Sequence, residues 1–241
     1  MIYADNAATT KMSDKAIETM VKLMKETYGN PSSLYGIGQR AKEVLEEARA
    51  DVAAVIGATP REIIFTSGGS EADNQAIISA AKLGANKGKK HIISSAFEHH
   101  AVLHTLNKLK KEGYEITLLD VHENGLIVPE EVEKAIREDT ALVTIMTANN
   151  EIGTIQPIRE IGAICRKHGV LFHTDAVQAV GHIKVDVNED NIDLLSASAH
   201  KFHGPKGVGF LYAKKAFLFR ILSKAAHRRE AKERAPKMFP E

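Results

Sequence analysis

The chain has 241 residues, 44% hydrophobic and 26% charged, with a formal net charge of +1, which suits one large globular domain or two small ones and offers no global field for nucleic acid or an anionic membrane. Its single cysteine, Cys165, excludes an intramolecular disulfide and fits a reducing compartment. The opening residues, Met1 to Asn6, lack the basic and apolar stretches of a signal peptide, and no apolar run approaches the ~20 residues needed to cross a bilayer, so a soluble cytoplasmic protein is expected.

Taken in order, the first clear element is a helix with Ala41, Val44, Leu45, Ala48, Val52 and Val55 on one apolar stripe. A β-rich run follows at 62–66, then a Gly-Ser turn and a helix over 72–82. Runs at 91–95 and 115–119 flank a helix carrying Val102, Leu103, Leu106 and Leu109. The run at 141–147 leads to a helix that starts at Pro157 and carries Ile158, Ile161 and Cys165. Three further runs lie at 170–174, 192–196 and 208–212. Each run is short, continuous and bounded by turn residues, as in strands buried on both faces. Strand alternating with helix implies an α/β fold with a mostly parallel sheet and helices on both faces. Ligands of such sheets sit beyond the carboxyl ends of the strands. From about residue 216 the pattern breaks, and 225–237 is crowded with Arg, Lys and Glu, which reads as a solvated tail.

Five strand ends carry candidate chemistry. Thr66-Ser67-Gly68-Gly69-Ser70-Glu71 opens a helix, where free N–H groups and close backbone approach suit an anion; a plain turn with Ser70 as N-cap reads equally well. Glu98-His99-His100 offers an imidazole to stack on a flat ring, or a helix start. Asn149-Asn150-Glu151-Ile152-Gly153 offers two amides, or an Asn-rich turn. Asp175, at the end of a buried strand, needs a cation, which a protonated pyridine nitrogen would supply; a cap or a structural ion pair is the alternative. Ser196-Ala197-Ser198-Ala199-His200-Lys201-Phe202-His203-Gly204-Pro205-Lys206-Gly207 holds a lysine, Lys201, between histidines that would form a Schiff base if deprotonated, although most lysines are simply solvated; Lys206, inside the turn, is the weaker choice.

Together these segments resemble cysteine desulfurases of the class V aminotransferase superfamily. The matching segments are 3–10, 29–33, 66–74, Glu98-His99, 149–153, 175–178 and 198–207, in the family's order. The resemblance implies the large domain of a fold-type I enzyme dependent on pyridoxal 5'-phosphate (PLP). It assigns Lys201 as the residue that bonds the cofactor and then acts as base at the substrate Cα. It assigns Gly69, Ser70, Ser198 and His200 to the phosphate, His99 to ring stacking and catalysis, Asp175 to the ring nitrogen and Gln178 to the ring oxygen. Asn150 would orient cofactor and substrate. Tyr35 departs from the histidine that the family often has there.

The implied reaction converts L-cysteine to alanine and an enzyme persulfide for iron–sulfur cluster assembly. The implied partners are a second copy of the chain, as a homodimer, and an iron–sulfur scaffold protein. The resemblance places the persulfide-forming cysteine, a substrate-clamping arginine and a small C-terminal domain after residue 241. Residues 1–215 are therefore expected to form the cofactor-binding domain, and 216–241 an atypical basic tail, produced by a frameshift near 215–219. A truncated chain of impaired activity is the expectation. Cys165, on an apolar helix stripe, reads as a small hydrophobe rather than a substitute nucleophile. The alternatives are a related aminotransferase or selenocysteine lyase, an inactive fragment, or a metal-dependent hydrolase using His173, Asp175, His200 and His203.

Overall fold

The computed structural model describes residues 2–215; the tail at 216–241 and its frameshift expectation lie outside the described residues. The helices are α1 (Asp14–Glu26), α2 (Gly36–Val55), α3 (Gly69–Ala85), α4 (His100–Lys111), α5 (Pro129–Ala135) and α6 (Ile158–His168). The strands are β1 (Ile63–Thr66), β2 (His91–Ser95), β3 (Glu115–Leu119), β4 (Thr140–Thr144), β5 (Leu171–Asp175), β6 (Leu194–Ser198) and β7 (Gly209–Ala213). They form one seven-stranded sheet in the order β1-β7-β6-β5-β4-β2-β3. β2 to β6 pair in parallel; β7 runs antiparallel to both β6 and β1. The α/β class and the mostly parallel sheet follow from the alternation of strand and helix in the sequence.

Continuous apolar runs in the strands fill both faces, because successive side chains point opposite ways. Leu142, Leu194, Leu211 and Ile92 pack under α3 and α4, against Ala76, Ala80, Val102, Leu106 and Leu109. Their neighbours Val143, Leu195, Phe210 and Ile93 face the other layer, against Ile158, Ile161 and Cys165 of α6. Small residues on the buried stripe of α3, among them Ala72, Ala76, Ala80 and Gly84, let that helix lie close on the sheet. Among the described residues no helix is long and apolar enough to cross a membrane.

Four expectations need adjustment. The stripe of α2 is not a core face: Val55 is 63% exposed, and on that helix only Gly38 and Ala53 are buried. Its packing partners are β1 and the turn Pro60–Glu62, a narrow platform beside the sheet. β3 is not buried on both faces, since it is an edge strand with Leu118 48% exposed. β4 ends three residues earlier than the run at 141–147, yet Ile145 and Thr147 still donate to His173 and Asp175 carbonyls at 3.2 and 2.8 Å before the chain turns away. The last three strands begin one or two residues late, which makes Asp175 and Ser198 the terminal residues of β5 and β6.

Candidate active site

The carboxyl ends of β1, β2, β4, β5 and β6 open on one side of the sheet, and each delivers residues to a common cavity of about 430 Å³. β1 feeds Gly69 and Ser70 at the start of α3, and the β2–α4 loop brings His99. The segment after β4 brings Asn150, β5 ends in Asp175 with Gln178 just beyond, and β6 delivers Ser198, His200 and Lys201. All nine residues singled out from the sequence line this one space.

The anion end is built from backbone. Gly68 is the N-cap of α3 and makes no side-chain cap, so Ser70 is not the cap that its alternative reading required. Glu71 instead accepts from the Ser67 N–H at 2.6 Å. The N–H groups of the first turn of α3 are without intrahelical acceptors and carry the positive end of the helix dipole. Ser67, Gly68, Gly69 and Ser70 border an open recess of about 530 Å³ together with Ser198, His200 and Lys206. A Cβ on Gly69 would lie 2.6 Å from Val177 Cγ2, so the cradle has room for backbone only.

Asp175, 5% exposed, lines the same cavity. Its Oδ1 accepts the Val177 N–H at 2.9 Å. Burial pushes its pKa up, and His99 and Lys201 pull it down. Lys201, half-buried, donates to the Ala8 carbonyl at 2.9 Å and to the Ala7 carbonyl. Burial pushes its pKa down against the pull of Asp175 and Asp5, which brings the free amine closer to neutral pH. The Ala7 carbonyl also accepts from Gln178 Nε2 at 2.8 Å, and Thr9 Oγ1 meets His200 Nδ1 at 3.0 Å. Burial, Lys201 and Lys206 hold His200 below its ordinary pKa.

His99 caps α4, with Nδ1 accepting the Ala101 N–H at 3.1 Å, as its helix-start reading required, and its side chain also lines the cavity. The two amides after β4 divide their tasks. Asn149 is buried and spends its side chain on the turn, donating to the Phe97 carbonyl at 3.2 Å and accepting from Glu151 and Ile152; only Asn150 reaches the cavity.

The donor set of the hydrolase reading is not assembled. Both ring nitrogens of His173 meet hydroxyls, Thr144 at 2.8 Å and Ser196 at 3.0 Å, and burial pushes its pKa down to about 3. His203 turns to the Lys11 carbonyl at 3.0 Å. Cys165 is fully buried in the core on α6, with its thiol pushed up to about 12 by burial.

Sequence reasoning missed Asp73, Asp5, Met146 and Val177, which also line the cavity. Asp73 had a legible signal: it falls on the buried stripe of α3, four residues after Gly69, where an apolar side chain is the norm. The donors present fit the group implied by the resemblance. An anion cradle, a buried carboxylate and a desolvated amine line one cavity, and a buried Asp73 oxygen has no hydrogen-bond partner.

The family model described as aminotransferase class-V matches residues 2–229. The cysteine desulfurase IscS of Methanosarcina thermophila is 53% identical over 214 residues, covering 89% of this chain and 53% of that protein. Cysteine desulfurase IscS of Dictyoglomus turgidum is 52% identical over 214 residues, covering 89% and 54%. Among solved structures, one described as SspA in complex with cysteine matches with a TM-score of 0.86 at 41% identity, over 90% of this chain and 62% of that one. A NifS-like protein matches with a TM-score of 0.86 at 44% identity, over 89% and 59%. The chain spans about half the length of the curated relatives it matches.

Proposed function

This chain belongs to the class V aminotransferase family, and on that premise we propose that its cavity is the PLP site of a cysteine desulfurase. The observation that carries the reading is the pairing of a desolvated lysine, Lys201, with a buried carboxylate, Asp175, in one cavity that also borders an anion cradle. When bound, PLP supplies an electron sink for the carbon that loses a proton.

The protein's own groups divide the work. The first turn of α3 with Ser70, Ser198 and His200 binds the phosphate, because N–H groups and hydroxyls converge there. Asp175 would hold a proton on the ring nitrogen, since a buried carboxylate favours a cationic neighbour. His99, Gln178 and Asn150 line the same cavity, where His99 would pack against the ring, Gln178 would donate to its oxygen and Asn150 would orient the substrate. Lys201 would hold the cofactor through its amine and would serve as the base for the substrate Cα proton, a task that burial favours by lowering its pKa.

L-Cysteine is the substrate we assign, as the names of the relatives and the cysteine-bound SspA structure support. Residues 1–215 act as the cofactor-binding domain of a cytoplasmic homodimer whose sulfur acceptor is an iron–sulfur scaffold. Sulfur transfer also needs an accessible thiol. Cys165, the one cysteine of the sequence, is fully buried and is not that thiol, so residues 1–215 carry cofactor capture and proton transfer. The test is to add PLP to the purified chain and record the visible absorbance of a lysine-bound cofactor. Lys201→Ala abolishes the band while the melt of the cofactor-free protein shows that the variant folds; a band that persists in Lys201→Ala refutes the assignment.

A further inference from the structure

α3 presents the cavity with an acid for which the proposed function has no use. Asp73 is 1% exposed, lines the cavity and has an Oδ1 without a hydrogen-bond partner. One of its carboxylate oxygens lies within 4.8 Å of an Asp175 oxygen and of a His99 ring nitrogen. On its inner side stands a row of fully buried neutral groups, in which Thr144 Oγ1 meets His173 Nδ1 at 2.8 Å and His173 Nε2 meets Ser196 Oγ at 3.0 Å. The same His173 Nε2 lies 3.7 Å from Asp73 Oδ1.

The titratable groups facing Asp73 are Glu98 and His99 from the β2–α4 loop, His173 and Asp175 from β5, and Lys201 from the segment after β6. Two buried carboxylates this close do not both ionise readily; one proton serves the pair. The surroundings decide which acid keeps it. Asp175 accepts the Val177 N–H and feels Lys201 and His99, all of which favour its anion. Asp73 has a serine hydroxyl and a neutral imidazole beside it, while burial and the Asp175 charge push its pKa upward.

We propose that Asp73 is a positioning residue that stays protonated and donates to the Asp175 carboxylate, so that the pair carries one charge, fixed on Asp175 where the cofactor's ring nitrogen meets it. The proposal rests on the role given to Asp175 above. It makes the two acids one titrating unit and the row Thr144–His173–Ser196 its neutral support.

The test uses the whole chain with Asp73→Asn, which keeps a donor but cannot ionise, and Asp73→Leu, which does neither. The cofactor-free proteins are melted at pH 5 and pH 8. An acid whose folded-state pKa is raised stabilises below its unfolded pKa, and that stability is lost as pH rises towards the folded value. The parent's melting temperature therefore falls between the two pH values by several degrees more than that of Asp73→Asn. PLP titration followed at the visible band gives the second readout: Asp73→Asn binds within about threefold of the parent, whereas Asp73→Leu weakens binding by about tenfold or more. The pH midpoint of the band moves in the Leu variant and is restored in the Asn variant. An Asp73→Asn protein that melts lower than the parent at pH 8, with the pH slope unchanged, overturns the proposal, as does equal PLP affinity of the Asn and Leu variants. A parent that takes up no PLP, yet loses its pH slope in Asp73→Asn, overturns the function proposed above and upholds the shared proton.

Discussion

Glu98→Gln offers a sharp check on the electrostatics beneath the cavity. Glu98 is 5% exposed, and its Oε1 accepts the Ser95 hydroxyl at 2.6 Å and the Met146 N–H at 2.9 Å, while Oε2 has no partner. Burial pushes its pKa from the ordinary 4.5 to about 8. The folded protein thus holds a proton that the unfolded chain releases above about pH 4.5, so stability declines as pH rises from there to about 8. At ~1.4 kcal/mol per pH unit, flattening as the folded acid itself titrates, the decline amounts to about 3 kcal/mol at pH 7 and about 4 kcal/mol at pH 8, a large share of a typical domain's stability. Glutamine keeps the acceptor at Oε1 and cannot ionise. Its NH₂ occupies the place where the protonated acid also has an unpaired O–H, so the two cost about the same near pH 5. Urea unfolding of the cofactor-free chain, followed by circular dichroism at pH 5, 6.5 and 8, reads the difference directly. The variant is expected within about 1 kcal/mol of the parent at pH 5 and several kcal/mol more stable at pH 8. Parallel pH curves, or a variant weaker at pH 8, would show that Glu98 is charged in the folded state and would refute the reasoning.

Two further outcomes follow from the same geometry. Gly69→Ala drives a methyl to 2.6 Å from Val177 Cγ2, an overpacking cost of about 1–3 kcal/mol, and PLP titration should show weaker uptake because Val177 holds the Asp175 carboxylate; Val177→Ala in the same chain should restore it. Cys165, with its thiol pushed up to about 12, should react with a thiol reagent at pH 8 about a thousandfold more slowly than an ordinary cysteine, and fully once the chain is denatured; prompt labelling of the native protein would contradict the burial.

The site was legible where its chemistry is written in side chains at strand ends. Asp175, Ser198 and Lys201 follow apolar runs whose limits the sequence marks with turn residues, and a slip of one or two residues in β5 or β6 does not move them from the same edge of the sheet. α2 illustrates the converse: its 3.6-residue period identifies an apolar face but not whether anything covers that face, and Val55 stays exposed. Asp73 was overlooked because its place depends on a helix register inherited from Gly69, not on any strand end. The least legible part is backbone. The partners of the Lys201 amine are the carbonyls of Ala7 and Ala8, which are 194 and 193 residues away in sequence, and carbonyl oxygens carry no residue identity. The same segment is tied to the lysine loop by the Thr10 hydroxyl, which donates to the His200 carbonyl at 2.9 Å and accepts from the His203 N–H at 2.8 Å. In the cofactor-free protein, then, the Lys201 amine donates to two backbone carbonyls, and it must leave them before it can bond an aldehyde. The contact that best hides from sequence analysis is therefore one that bears on how readily the proposed cofactor is captured.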